Sequence, residues 1–120
     1  MVFFIASAEL NPNAQILCSL SPWFSEDLPN IKQWWIKAMG ENRRRDFETI
    51  KSDELAKKIT CKTIMLVGSN EGKEVRISNN RIYRLLKGDK DYQVINGPKH
   101  DIVDPDYQNK IADVINQFLI

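Results

Sequence analysis

The 120 residues contain a single histidine, His100, which follows a short apolar run and a Gly97-Pro98 turn. A carboxylate, Glu71, lies 29 positions earlier in the turn-rich stretch Gly68-Ser69-Asn70-Glu71-Gly72, which closes another apolar run. An acid and an imidazole delivered by the loops after two neighbouring strands form an acid and base pair. The carboxylate fixes the imidazole tautomer and stabilises its protonated form, so that the imidazole can take a proton from a nucleophile. Each residue also has a plainer reading. Glu71 in a glycine-bounded loop is an ordinary solvated carboxylate, and His100 is a loop residue capping the final helix. Glu74 and Asp101 compete with Glu71 for the role of acid.

Other residue types with chemical potential are fewer. Cys18 and Cys61 stand 43 positions apart with no partner histidine nearby. Neither a disulfide nor a structural zinc site follows, and two buried free thiols are expected. No metal and no cofactor are expected. Ser19, Ser21 and Ser25 lie near the end of the first strand but outside any motif that would activate a hydroxyl. Trp23, Trp34 and Trp35 fall within 13 positions and, with Phe24, form a dense aromatic group. They either wall a pocket for an apolar substrate or staple their segment to the core. Arg43-Arg44-Arg45 is flanked by Glu41, Asp46 and Glu48, which favours a solvated helix face over a phosphate or nucleic-acid patch.

The elements that must position these residues alternate. Met1 to Leu10 is apolar at nearly every position and stops at Asn11-Pro12-Asn13, which reads as a buried helix already under way at residue 1. Gln15 to Leu20 is a short apolar run suited to a buried strand. From Trp23 to about Lys58 the chain is polar, aromatic and strandless, with a helix over IKQWWIKAM closed by Gly40 and further helical turns over RRRDFETIKSDELAKKI. Thr63 to Val67 is a second strand. Ile77, Ile82, Leu85 and Leu86 keep a helical period that Gly88 is expected to cap, and Tyr92 to Ile95 is a third strand. The last helix has Asp104 as N-cap, Pro105 in its first position and Asp106 favouring the dipole, with Ile111, Val114, Ile115, Phe118 and Leu119 on one face. Strands alternating with helices predict an α/β fold, a partial parallel sheet of about three strands with flanking helices and a helical, lid-like insertion. One domain is expected, divided into helix and strand (1–22), insertion (23–58) and the strand-helix-strand-helix part (59–120). In such a sheet ligands gather at the carboxyl ends of the strands, where Glu71 and His100 are placed.

Composition narrows the partners. With 17 Lys+Arg against 16 Asp+Glu, the net charge of +1 gives no attraction to nucleic acid or an anionic membrane. The opening apolar stretch ends at Glu9, far short of the roughly 20 residues a membrane span requires. No basic residue precedes Lys32, so a secretory signal is not expected and the chain reads as cytoplasmic.

The segment CKTIMLVGSNEG resembles the penultimate strand and acid turn of the α/β-hydrolase-fold superfamily, matching its Gly-x-x-acid pattern at Gly68 and Glu71. INGPKHDI resembles the family's last strand and histidine loop, matching at Gly97, His100 and Asp101. Met1 to Pro12 resembles the helix after the nucleophile, Ala14 to Pro22 the next strand, and Trp23 to Lys58 fills the slot of the family's lid. The resemblance implies the carboxyl-terminal half of a serine hydrolase of esterase or lipase type, with Glu71 as triad acid and His100 as base. Trp23, Phe24, Trp34 and Trp35 become candidates for the pocket of a small ester or acyl substrate. The family's Gly-x-Ser-x-Gly elbow occurs nowhere in the sequence, so this chain by itself is expected to be inactive. A degenerate module that binds without turnover is the alternative. The resemblance also leaves the apolar first strand as an open edge, which should pair with the missing amino-terminal half or with another copy of the chain.

Overall fold

Hydrophobic periodicity in the sequence becomes three parallel strands between two unequal layers of helix. The structure is a computed structural model and describes residues 1–97 and 103–119, with only the backbone of Val2, Phe3 and Leu119. Along the chain come α1 (Val2–Leu10), β1 (Ala14–Cys18), α2 (Gln33–Met39), α3 (Glu41–Glu48), α4 (Ser52–Lys58), β2 (Lys62–Gly68), α5 (Lys73–Leu85), β3 (Lys90–Ile95) and α6 (Pro105–Leu119). The sheet order is β1-β2-β3, with Ala14 opposite Lys62 and Cys18 opposite Leu66 in one pair, and Thr63 opposite Lys90 and Gly68 opposite Ile95 in the other.

Central position explains the composition of β2. From Thr63 to Gly68 every residue is buried, because helices cover both faces. Met65 points into one layer with Phe4 and Ala8 of α1, Ala56 of α4 and Ile82 of α5. Ile64 and Leu66 point the other way, toward Tyr107 and Val114 of α6, with Ile111 and Phe118 packed at the margin. This is the period-2 alternation of a strand covered on both sides.

Helix ends follow local chemistry. Asn11 closes α1 at φ 45°, in the left-handed region that asparagine tolerates, and its N–H reaches the Ser7 carbonyl at 3.1 Å. The Lys90 ammonium donates to the carbonyls of Tyr83, Arg84 and Leu86 at 2.9, 3.2 and 3.0 Å, placing a cation at the negative end of α5. Asp104 caps α6 as expected, accepting the Asp106 N–H at 2.9 Å.

Three expectations are corrected. Gly88 does not cap α5, whose C-cap is Leu86; its requirement is space, since a Cβ there would lie 2.3 Å from the Thr60 carbonyl oxygen and 2.5 Å from that of Cys61. Cys61 is buried as expected, but Cys18 is exposed, because it ends the edge strand β1. Within the insertion, α4 lines the main core through Ala56, with Ile59 just beyond it, beside α1 and α5, whereas α2 and α3 bury no residue.

The insertion is tied to α5 by buried polar groups. Asp27, 3% exposed, accepts from Arg81 Nη1 at 2.7 Å and from the Ser78 hydroxyl at 2.8 Å. Arg81 also donates to Asp53 at 2.9 Å and to the Ser52 hydroxyl at 2.8 Å. Burial disfavours the Arg81 charge, yet the carboxylates of Asp27 and Asp53 more than compensate and raise its pKa. Asn79 pins the chain leaving β1, accepting from the Leu20 N–H at 3.1 Å and donating to its carbonyl at 2.9 Å. Glu26 serves the start of α4, accepting the N–H groups of Ser52 at 3.0 Å and Asp53 at 2.7 Å.

Candidate active site

The turns that leave β2 and β3 are stitched to each other at the carboxyl edge of the sheet. The Ser69 N–H donates to the Ile95 carbonyl at 2.8 Å, and the Gly97 N–H donates back to the Ser69 hydroxyl at 2.6 Å. Asn70 adds a bond from its amide to the Gly97 carbonyl. Gly97 itself stands at φ 84°, a conformation natural to glycine, which turns the chain away from β3.

This lattice presents Glu71. A bond from its N–H to the Gly68 carbonyl at 3.1 Å tightens the turn, and the residue is only 6% exposed. Burial separates it from its competitor Glu74, which is half-buried on the first turn of α5, where a carboxylate favours the helix dipole. His100 and the third acid candidate, Asp101, lie outside the described residues.

Tyr107, on the first turn of α6 and 2% exposed, brings the edges together. Its hydroxyl pKa is pushed up to about 12, first by burial, then by the charge of Cys18 and a hydrogen bond with its thiol. The Ser19 hydroxyl works against this and the charge of Glu71 adds to it. Cys18 is exposed as a residue, but partial desolvation of its thiol beside Tyr107 raises its pKa, which the bond to Tyr107 partly offsets. Ser19 has φ 42° and sends its N–H to the Leu66 carbonyl at 2.8 Å. Its hydroxyl bears on Tyr107 but makes no hydrogen bond of normal length and angle among the described residues, although the residue is 7% exposed. Glu71, Tyr107, Ser19 and Cys18 therefore share one corner at the carboxyl end of the sheet.

Beside that corner opens a groove of about 320 Å3, lined by Ser19, Ser21, Pro22, Trp23, Trp35 and Val75. Trp23 lies 6.0 Å from the Trp35 ring and stacks on Phe47 at 5.6 Å, so α2 and α3 are held over the exit of β1 by aromatic contact. The four aromatic candidates thus separate. Trp23 and Trp35 wall the groove; Trp34 is 62% exposed and touches only the edge of Trp35, at 5.3 Å. Phe24 is not a pocket residue, because it is fully buried in the main core with its ring edge-on to Phe4 at 5.4 Å.

The remaining candidates have structural partners. Ser25 donates to Glu26 at 2.8 Å. In the arginine run, Arg44 pairs with Glu41 and Glu48 on the surface of α3, and Arg45 lies 3.9 Å from Glu41. Among the described residues no group of three His, Cys, Asp or Glu side chains is placed to hold a metal ion. No described helix is long and apolar enough to cross a membrane. Tyr107 and Asp27 escape sequence reasoning. Ser78 and Asn79, two polar residues on the stripe that carries Ile82 and Leu86, are the visible signal for a buried polar seam. Tyr107 carries no comparable signal.

No protein-family model, curated protein or solved structure matches this chain. The fold stands on its own geometry as an α/β layer with a three-stranded parallel sheet.

Proposed function

We propose that this chain supplies the acid and the histidine of an α/β-hydrolase-type serine hydrolase, Glu71 and His100, acting on an ester or related acyl substrate. The observation that carries the reading is the buried Glu71, presented by a turn hydrogen-bonded to the turn from which the chain runs on to His100. In the reaction a serine hydroxyl from outside these 120 residues attacks the carbonyl carbon. His100 accepts the hydroxyl proton and returns it to the leaving oxygen, and Glu71 orients the imidazole and stabilises its charged form. The polypeptide carrying that serine pairs along β1, whose open edge from Ala14 to Cys18 bears no charged side chain.

The test requires no turnover. Titration of His100 followed by NMR should move to lower pH in Glu71→Gln, since removing an adjacent negative charge disfavours the imidazolium. An unchanged titration would sink the pairing. The chain alone should hydrolyse p-nitrophenyl acetate no faster than an equal concentration of free imidazole; a much faster rate, lost in His100→Ala, would overturn the claim that the nucleophile lies elsewhere. Binding without turnover is the second reading, and the groove beside Trp23 favours it.

A further inference from the structure

We infer that the groove between Trp23, Trp35 and Val75 is a binding site for a compact, uncharged, ring-bearing molecule with one hydrogen-bonding substituent. The inference rests on the groove alone and holds whether or not the chain takes part in catalysis.

Size sets the upper bound. A dry cavity of about 150 Å3 accepts benzene, so a groove of about 320 Å3 suits a fused two-ring system of about ten carbons. Its lining decides the chemistry. Trp23 and Trp35 supply flat aromatic walls, Pro22 and Val75 supply aliphatic ones, and the exposed Ser21 supplies the polar position, since the Ser19 hydroxyl is buried against Tyr107. Among the described residues no charged side chain lines it, so they offer neither a carboxylate nor an ammonium a counter-ion there. Such a site has the composition of a small-molecule pocket, mostly apolar with a placed polar group, at the carboxyl end of a parallel sheet.

The probe is 2-naphthol, with 2-naphthoate as its charged counterpart, titrated into the isotopically labelled chain. The indole N–H signals of Trp23 and Trp35 and the methyl signals of Val75 should shift together, with a Kd of about 1 mM or tighter. Naphthoate should bind at least about tenfold more weakly. Val75 is half-buried, so Val75→Phe fills the groove without disturbing the core and should weaken 2-naphthol binding by about tenfold. Val94→Ala, an exposed position on β3 that does not line the groove, should leave binding unchanged. Absence of shifts at Trp23, Trp35 and Val75, or equal binding to Val75→Phe, would overturn the site. Equal binding of naphthoate would overturn its preference for neutral ligands. None of these outcomes depends on His100, so failure here is distinguishable from failure of the hydrolase reading.

Discussion

Two clusters of buried polar side chains lie in this fold, and they differ in how completely they are satisfied. At the seam between insertion and α5, Asp27, Arg81, Asp53, Ser52 and Ser78 bond to one another, and Asn79 satisfies both backbone groups of Leu20. At the carboxyl corner, Ser19 keeps a left-handed backbone and a hydroxyl with no partner of normal geometry among the described residues, next to a tyrosine whose ionisation is suppressed. A satisfied network fixes geometry, whereas unspent hydrogen-bonding capacity and backbone strain gather where a ligand is met. The seam builds the molecule and the corner serves it.

The sharpest way to break the comparison is Asp27→Ala. It strips Arg81 of the more buried of its two carboxylate partners and removes the acceptor of the Ser78 hydroxyl, so we expect a loss of about 3 kcal/mol in urea unfolding. A loss below about 1 kcal/mol would place the seam among ordinary surface ion pairs.

A smaller effect is expected from Glu26→Gln. Burial tends to raise the pKa of Glu26, but the Asp53 N–H, the Ser25 hydroxyl and the Ser52 N–H more than offset this and hold it at about 2. Because the folded value lies below the ordinary 4.5, the stability that Glu26 contributes is present above pH 4.5 and lost as pH falls toward 2. The group is largely solvated, so the loss in the variant at pH 7 should be about 1 kcal/mol. Thermal melts of wild type and variant should converge at the acid end. A difference independent of pH would show that packing, not charge, is responsible.

Ser19→Gly should have the least effect and the opposite sign. Glycine relieves the left-handed backbone and removes the side-chain hydroxyl at some cost in chain entropy, so stability should hold or rise by up to about 1 kcal/mol. A clear loss would assign Ser19 to the structural network and erase the contrast.

The order of elements was legible because each strand is a contiguous apolar run and each long helix repeats its apolar residues at the helical period. Asp104-Pro105-Asp106 announced the start of α6 for the same local reason. Phe24 was not legible as a core residue, since it sits in an irregular stretch where no period says which way a side chain turns. Cys18 reads as buried from its apolar neighbours, but exposure at the end of an edge strand depends on what lies alongside, which is tertiary information. The same holds for the site. Glu71 was visible as a carboxylate between two glycines, whereas the Ser69 to Gly97 stitching joins residues 28 positions apart and appears only once β2 and β3 align.

The hydrogen bond from the Ser25 N–H to the Ile50 carbonyl, 2.9 Å long, brings the two ends of the lid together. Residues 32–49, which include α2 and α3, therefore leave and return to the body of the fold close to one point, while Leu28 and Ile31 stay buried and Asp27 and Glu26 remain with the seam. Closing such a loop costs free energy that grows only with the logarithm of its length, about 0.6 kcal/mol per doubling. The segment behaves as an exchangeable cassette: Trp35 travels with it, and Trp23 stays behind. Half of the aromatic wall is thus carried by a segment whose length can vary at little entropic cost, while the sheet that holds Glu71 is left untouched.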